Sequence, residues 1–171
     1  MKLFRFSPIQ NENELQNAIT HIHIVCHALC KQSFGKYLPV AGNIAIFCHY
    51  DDEFSFLSKL QESLTDHTKA IFNKYYQLHS PIVIPPQGNI PETTYTHLYI
   101  RKPDPYRSHV GDMDFLLDQA SYIKQKHILL GGIGIRGARV FPRTDVDMIE
   151  LFDADADALG YVRTVTEATI E

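Results

Sequence analysis

Residues 94–118 read TYTHLYIRKPDPYRSHVGDMDFLLD, and residue types suited to chemistry recur there at every second position. Side chains of an extended strand alternate between its two faces. A strand here therefore places Tyr95, His97, Tyr99 and Arg101 on one face, and a second places Val110, Asp112, Asp114 and Leu116 on one face. With the turn centred near residues 106–107, a hairpin sets Arg101 opposite Asp112 and Tyr99 opposite Asp114. Cross-strand neighbours sit about 5 Å apart at Cβ, within contact. An arginine held by a carboxylate presents a directed donor fork to a phosphate or carboxylate. His97 or His109 could move a proton near neutral pH, oriented by Asp112 or Asp114. Tyr99, Arg101 and Arg107, with Arg139 and Arg143 further along, are the residues expected to read an anionic ligand. The competing reading is a solvated sheet face carrying surface ion pairs worth at most about 1 kcal/mol each.

The elements that must carry these residues follow from patterning. Residues 1–6 alternate and read as a short strand. Asn11, with Glu14 three residues on, forms an approximate capping box. The stripe Leu15, Ile19, Ile22, Cys26 and Leu29 then predicts a helix, ended by Gly35 and Pro39. Residues 43–50 read as a buried strand, followed by a helix capped at Asp51 or Asp52 with Phe54, Leu57, Leu60 and Leu64 inward. Residues 66–77 read as a third helix, and 82–84 as a short edge strand between prolines. Asp118 caps a short helix to about His127. Strands are expected at 128–130, 138–141, 148–152 and 159–165. The expected fold is α+β: helices mainly in the N-terminal half, packed on a mainly antiparallel sheet formed largely by the C-terminal half. One domain, 1–171, accounts for the length.

Other motifs are weaker. Gly132, Gly134 and Gly137 spell G-x-G-x-x-G, but a dinucleotide site needs a helix directly after them, and residues 138–142 alternate and end in proline. A β–β connection beside Arg136, Arg139 and Arg143 is the plainer reading. His49 to Glu53 place imidazole and carboxylates where a strand passes into a helix; capping by the acids explains them. His23, His27 and Cys30 share a helix flank at i, i+4 and i+7, short of a full zinc set. Asp153, Asp155 and Asp157 start like a calcium loop, yet Ala158 and Thr164 stand at its required glycine and glutamate. Residues 147–162 are similar in flavour to the closing strand of vicinal-oxygen-chelate metalloenzymes, with His97 and Glu150 as matching ligand types. That family also needs a helix after its first strand and a doubled module. A second strand follows here instead, so the similarity is not taken as membership.

Composition bounds the rest. The chain has 171 residues, 44% of them hydrophobic, and a formal charge of −4 with 16 scattered basic residues. Dispersed charge argues against a nucleic-acid partner, which needs concentrated basic surface. Cys26, Cys30 and Cys48 cannot pair completely and sit among apolar residues, as in a reducing, cytoplasmic setting. No stretch approaches the roughly 20 apolar residues of a membrane helix. A small anionic ligand is the expected partner, a homo-oligomer is compatible with the sequence, and the sequence leaves any cofactor open. The alternatives are a metal-dependent enzyme using the same His/Asp/Glu face, or a non-catalytic module presenting tyrosines and arginines to a protein.

Overall fold

A computed structural model describes residues 4–104, 106–132, 134–141 and 148–165. Asn11 starts the first helix as its spacing predicts. Its side chain accepts from the Glu14 amide at 2.8 Å, and Glu14 accepts in turn from the Gln10 amide at 2.6 Å. Helix α1 spans Glu12–Phe34 and stops at Gly35, whose φ of 72° is the left-handed cap that glycine adopts freely. Strand β1, Val40–Phe47, leads into α2, Asp51–Leu64, whose first turn carries Asp51, Asp52 and Glu53. Glu53 is buried and accepts from the amides of Ile9 and His49, tying the N-terminal segment to the start of the helix.

The third expected helix is instead a hairpin, β2 Thr65–Ile71 and β3 Tyr75–Ile84. Its turn holds Phe72 and Asn73 at φ of 53° and 58°. Asparagine tolerates that region; phenylalanine does so only at a cost of roughly 1–2 kcal/mol. Pro81 lies in β3 where the register to its neighbour β4 shifts between Gln77 and Ile82, so the missing N–H interrupts no regular ladder. Strand β4 is Thr93–Arg101 and β5 is Gly111–Leu117. Helix α3, Gln119–Leu130, is capped by Asp118 and absorbs residues 128–130, which were expected as a strand. Strands β6 Ala138–Phe141, β7 Met148–Leu151 and β8 Ala158–Thr164 complete the chain. The expected strand at residues 1–6 lies partly outside the described residues; its described part, residues 4–6, is not a strand.

The strands join in one sheet, β2-β3-β4-β1-β5-β8-β7-β6. Two neighbouring pairs, β1/β4 and β5/β8, are parallel and the others antiparallel. The sheet is thus mixed, with β1, β2 and β3 from the N-terminal half of the chain and the five strands β4 to β8 from the C-terminal half. Each half of the sheet repeats the sequence strand, helix, three strands: β1-α2-β2-β3-β4 and β5-α3-β6-β7-β8. Each half runs outward in the same order, with its first strand at the centre, and β1 meets β5 antiparallel. The doubling, which the sequence did not reveal, is present; α2 follows β1 as expected, and the strand carrying His97, β4, is followed by the strand β5.

The expected hairpin is the main correction. Strands β4 and β5 are not partners, because β1 lies between them, with Ala45 opposite Tyr99 on one side and Asp112 on the other. Both faces of Asn43-Ile44-Ala45-Ile46-Phe47 are buried, as in a central strand needing two neighbours. The nine residues between β4 and β5 also exceed an ordinary hairpin turn. Gly111 permits the close seam: a Cβ there would collide with the Ala45 carbonyl oxygen and Ile22 Cδ1.

Alternation divides the sheet into two faces. Ile44, Ile46, Leu98, Ile100, Met113 and Phe115 pack with α1, Leu57 of α2 and Tyr122 of α3. The opposite face carries a smaller apolar group around Ala45, Phe47, Tyr75, Met148, Leu159 and Tyr161. Among the described residues no helix is long and apolar enough to cross a membrane.

Candidate functional site

The second face encloses a cavity of about 750 Å³. Alternation on four central strands supplies its polar wall: Tyr99 and Arg101 from β4, Asp112 and Asp114 from β5, and Tyr161 and Arg163 from β8, with Phe47 of β1 between them. Register explains the grouping. Asn43, Ala45 and Phe47 pair with His97, Tyr99 and Arg101 without a shift, so these residues share a side. Tyr95 does not: it is fully buried on the helix face, against His23 and Met113.

Asp114 and Arg163 form the buried centre. Arg163, only 3% exposed, donates from Nε to Asp114 Oδ2 at 3.0 Å and from Nη2 to Asn43 Oδ1 at 3.4 Å. Its third nitrogen, Nη1, is buried without a hydrogen-bond partner among the described residues. An unsatisfied buried donor costs roughly 1–3 kcal/mol, so such groups normally have a partner. Asn43 Nδ2 also lacks a bond of normal geometry, although it lies near enough to Asp114 and Tyr75 to stabilise negative charge on both.

Asp112 is the counterpart without a guanidinium. Its only hydrogen bond among the described residues comes from the Tyr75 hydroxyl, at 3.4 Å. Burial, then the neighbouring Asp114 charge, push its pKa to about 7, against the pull of Lys74, Arg101 and Tyr75. Burial raises Asp114 as well, but Arg163 and Asn43 oppose it. Two carboxylates two residues apart thus have different surroundings: Asp114 is paired with the Arg163 guanidinium, while Asp112 is poised to hold or release a proton near neutrality.

The rim is cationic. Arg101 donates to Asp104 at 2.6 Å and lies 4.2 Å over the Phe47 ring; Arg107 approaches Asp104 at 4.0 Å. Lys74 sits 5.3 Å from the Tyr99 ring centroid. A second cavity of about 650 Å³ adjoins the first across Asn73, Lys74, Tyr99, Arg101 and Asp104.

The structure therefore brings together five expected site residues: Tyr99, Arg101, Arg107, Asp112 and Asp114. His97 and His109 do not line the cavity. His97 lies 2.9 Å from Thr96 Oγ1, and burial lowers its pKa. His109 is half-buried with Nδ1 unpartnered among the described residues, and burial then Arg107 lower its pKa. Arg139 is held outside the wall by Glu150, which it meets through Nε at 2.8 Å and through Nη2. Arg143 lies outside the described residues. Patterning missed Arg163, Tyr75 and Tyr161. The available signal was an arginine two residues after a tyrosine in the otherwise apolar run Leu159–Val162, a place where strands rarely carry unpaired charge.

The remaining motifs resolve structurally. Gly131, Gly132 and Gly137 belong to an α3-to-β6 connection, not a β–β one. His23 and His27 are buried in the core, with His23 Nδ1 2.7 Å from the Tyr95 hydroxyl and His27 Nδ1 donating to the His23 carbonyl. Asp153 accepts from the Asp155 amide in a turn, and Asp157 lies 2.6 Å from His21 Nε2. Glu150 is engaged by Arg139 and by the Tyr161 hydroxyl at 3.0 Å, apart from His97. Among the described residues no three His, Cys, Asp or Glu side chains converge as a metal-binding set.

No protein-family model matches this chain, and no curated protein matches it. It is similar to a solved structure described as structural-genomics protein EC4020, with a TM-score of 0.52 and 13% identity over 91% of each chain. At that identity the likeness concerns the fold.

Proposed function

We propose that this chain binds a small anionic molecule in the sheet cavity and transfers a proton on it through Asp112. The supporting observation is the juxtaposition of Asp112, whose pKa stands near 7, with the unpartnered Nη1 of buried Arg163 in one cavity. Arg163 would take the anion, with Arg101 and Arg107 drawing it in at the rim. A carboxyl titrating near the working pH serves as acid or base with the least loss in either direction. Among the described residues no serine, threonine or cysteine lines the cavity, while a carboxyl titrating near neutrality does, which favours proton transfer as the reaction class. The metal-dependent alternative would need a further ligand brought to Asp112 and Asp114. The protein-interface alternative would place tyrosine and arginine on a flat patch, whereas these line a concavity.

The test has two readouts. A panel of small carboxylates and phosphates is screened by thermal shift against the parent and Asp112→Asn. The same panel, enriched in 2-oxo acids, is incubated with protein in D2O and followed by NMR. Deuterium should enter the carbon beside the carbonyl, and Asp112→Asn should slow this by roughly 100-fold or more while binding persists. If no anion raises the melting temperature, the proposal fails entirely; binding without exchange leaves a binding protein and removes the catalytic role of Asp112.

A further inference from the structure

The reading of the cavity as an anion site leaves the shape and charge of the anion open, and the walls address both. Two aromatic groups line the cavity from opposite sides of the strand order. Tyr75 of β3 and Tyr99 of β4 lie on one side, ring centroids 5.3 Å apart; Phe141 of β6 and Tyr161 of β8 lie on the other, 6.0 Å apart. Phe72, at the tip of the β2–β3 turn, places its ring 5.2 Å from the Arg163 guanidinium carbon. Aromatic walls favour a flat partner, because rings stack offset or edge to face and a puckered ring cannot approach both sides equally. Charge narrows the choice further. Arg163 already spends Nε on Asp114 and Nη2 on Asn43, leaving one nitrogen unpartnered among the described residues, and Asp112 and Asp114 both stand close by. A phosphate group carries about −1.5 to −2 at pH 7 and brings three strong acceptors, whereas the buried centre offers one arginine nitrogen and the other cations, Lys74, Arg101 and Arg107, stand at the rim. A carboxylate carries one charge.

We infer that the cavity takes a flat monocarboxylate, aromatic or conjugated, with its carboxylate on Arg163 Nη1 and its plane between the Tyr75–Tyr99 and Phe141–Tyr161 walls. This rests on the anion-site reading and specifies its ligand class. Phe72 covers the carboxylate end from the turn. The strained φ of Phe72 fits that placement, since an asparagine there would give the turn more cheaply but no ring.

Benzoate, cyclohexanecarboxylate and inorganic phosphate separate the possibilities, as they share an anionic group and differ in flatness and charge. Binding to the full chain is measured by calorimetry and by tyrosine fluorescence, which no tryptophan obscures. Benzoate should bind roughly three- to tenfold more tightly than cyclohexanecarboxylate, the size of a lost ring-stacking contribution, and phosphate more weakly still. Phe72→Asn, which keeps a residue suited to positive φ, should shrink the benzoate preference severalfold while leaving the melting temperature of the empty protein at or above the parent's. The double variant Asp114→Asn/Arg163→Gln removes the buried pair together, so no lone charge is stranded, and it should lose benzoate binding. Equal binding of benzoate and cyclohexanecarboxylate overturns the flat-ligand inference and leaves the anion site standing. Phosphate as the tightest of the three overturns the monocarboxylate assignment alone. Failure of all three to bind overturns the anion site itself. Benzoate binding retained in the double variant removes Arg163 as the anchor.

Discussion

Both faces of the sheet bury ionisable groups, and they handle them in opposite ways. On the helix face His23 and His27 are enclosed within the main core, with Tyr95 filling the space between α1 and β4. Burial holds His23 neutral, its pKa lowered to about 4 with a smaller push from His27. On the cavity face Asp114, Arg163 and Glu150 are buried equally deeply, yet each has an opposite charge beside it. Under the covering helices the ionisable groups lose their charge, and His23 Nε2, also without a hydrogen-bond partner among the described residues, is a neutral ring atom rather than a charge. The cavity face keeps these three charges, neutralises Asp112 alone, and leaves one arginine nitrogen without a partner among the described residues. Depth alone thus marks no site; an incompletely satisfied charge does.

The largest expected effect tests that contrast at the Asp114–Arg163 pair. Replacing either residue by alanine strands the other charge in the sheet and should cost roughly 3–5 kcal/mol in urea denaturation. Asp114→Asn with Arg163→Gln should recover most of that loss. A double variant as unstable as the single ones would mean the residues matter through shape rather than charge.

Next in size is Asp112→Asn, with an unusual sign. The folded carboxyl titrates near 7 and the unfolded one near 3.8, so between those values only the folded state keeps its proton. Parent stability therefore falls as pH rises from about 4 to 7 and is level above. The variant escapes this, so its advantage should grow over the same window, to at most roughly 4 kcal/mol at pH 8 from a gap of about three pKa units. An advantage independent of pH would show that Asp112 is not held protonated.

His23→Gln reads the helix face with the slope reversed. Here the folded pKa is near 4 and the unfolded near 6.5, so the unfolded state takes up the proton first and parent stability falls as pH drops from 6.5 to 4. Glutamine keeps a polar partner for the Tyr95 hydroxyl, able to donate or accept, and should flatten that fall by up to roughly 3 kcal/mol. An unchanged acid limb would place the titrating group elsewhere.

How far the sequence foretold this depends on the distance between interacting residues. Elements governed by neighbours three or four residues apart were legible: the Asn11 and Asp118 caps, the Gly35 stop, and the stripe of α1. The alternation placing Tyr99 with Arg101 and Asp112 with Asp114 was also legible, because it needs only the two-residue period. Pairing was not. Nothing local in residues 94–118 shows that β1, some sixty residues earlier, slides between the two strands. The β2–β3 hairpin was lost for a related reason: aromatic residues at helical spacing outweighed a turn whose signal is a single asparagine. Arg163, the anchor of the site, looked like one charge in an apolar strand, and its meaning depends on Asp114, forty-nine residues away.

The smallest expected effect on stability sharpens the comparison most, because it separates rim from centre within one face. Arg101 is bound to Asp104 at 2.6 Å, but both side chains are about a quarter to a third exposed, at 24% and 30%. Solvent screening limits such a pair to about 1 kcal/mol, and the contact over Phe47 adds a similar amount at most. Arg101→Ala should therefore move the urea midpoint little, in contrast to Arg163→Ala. It should still weaken benzoate binding, chiefly in the association rate and more at low salt, because a rim charge steers an anion before contact. A loss in the dissociation rate that is insensitive to salt would instead place Arg101 in direct contact with the bound anion, and the division between a steering rim and an anchoring centre would fall.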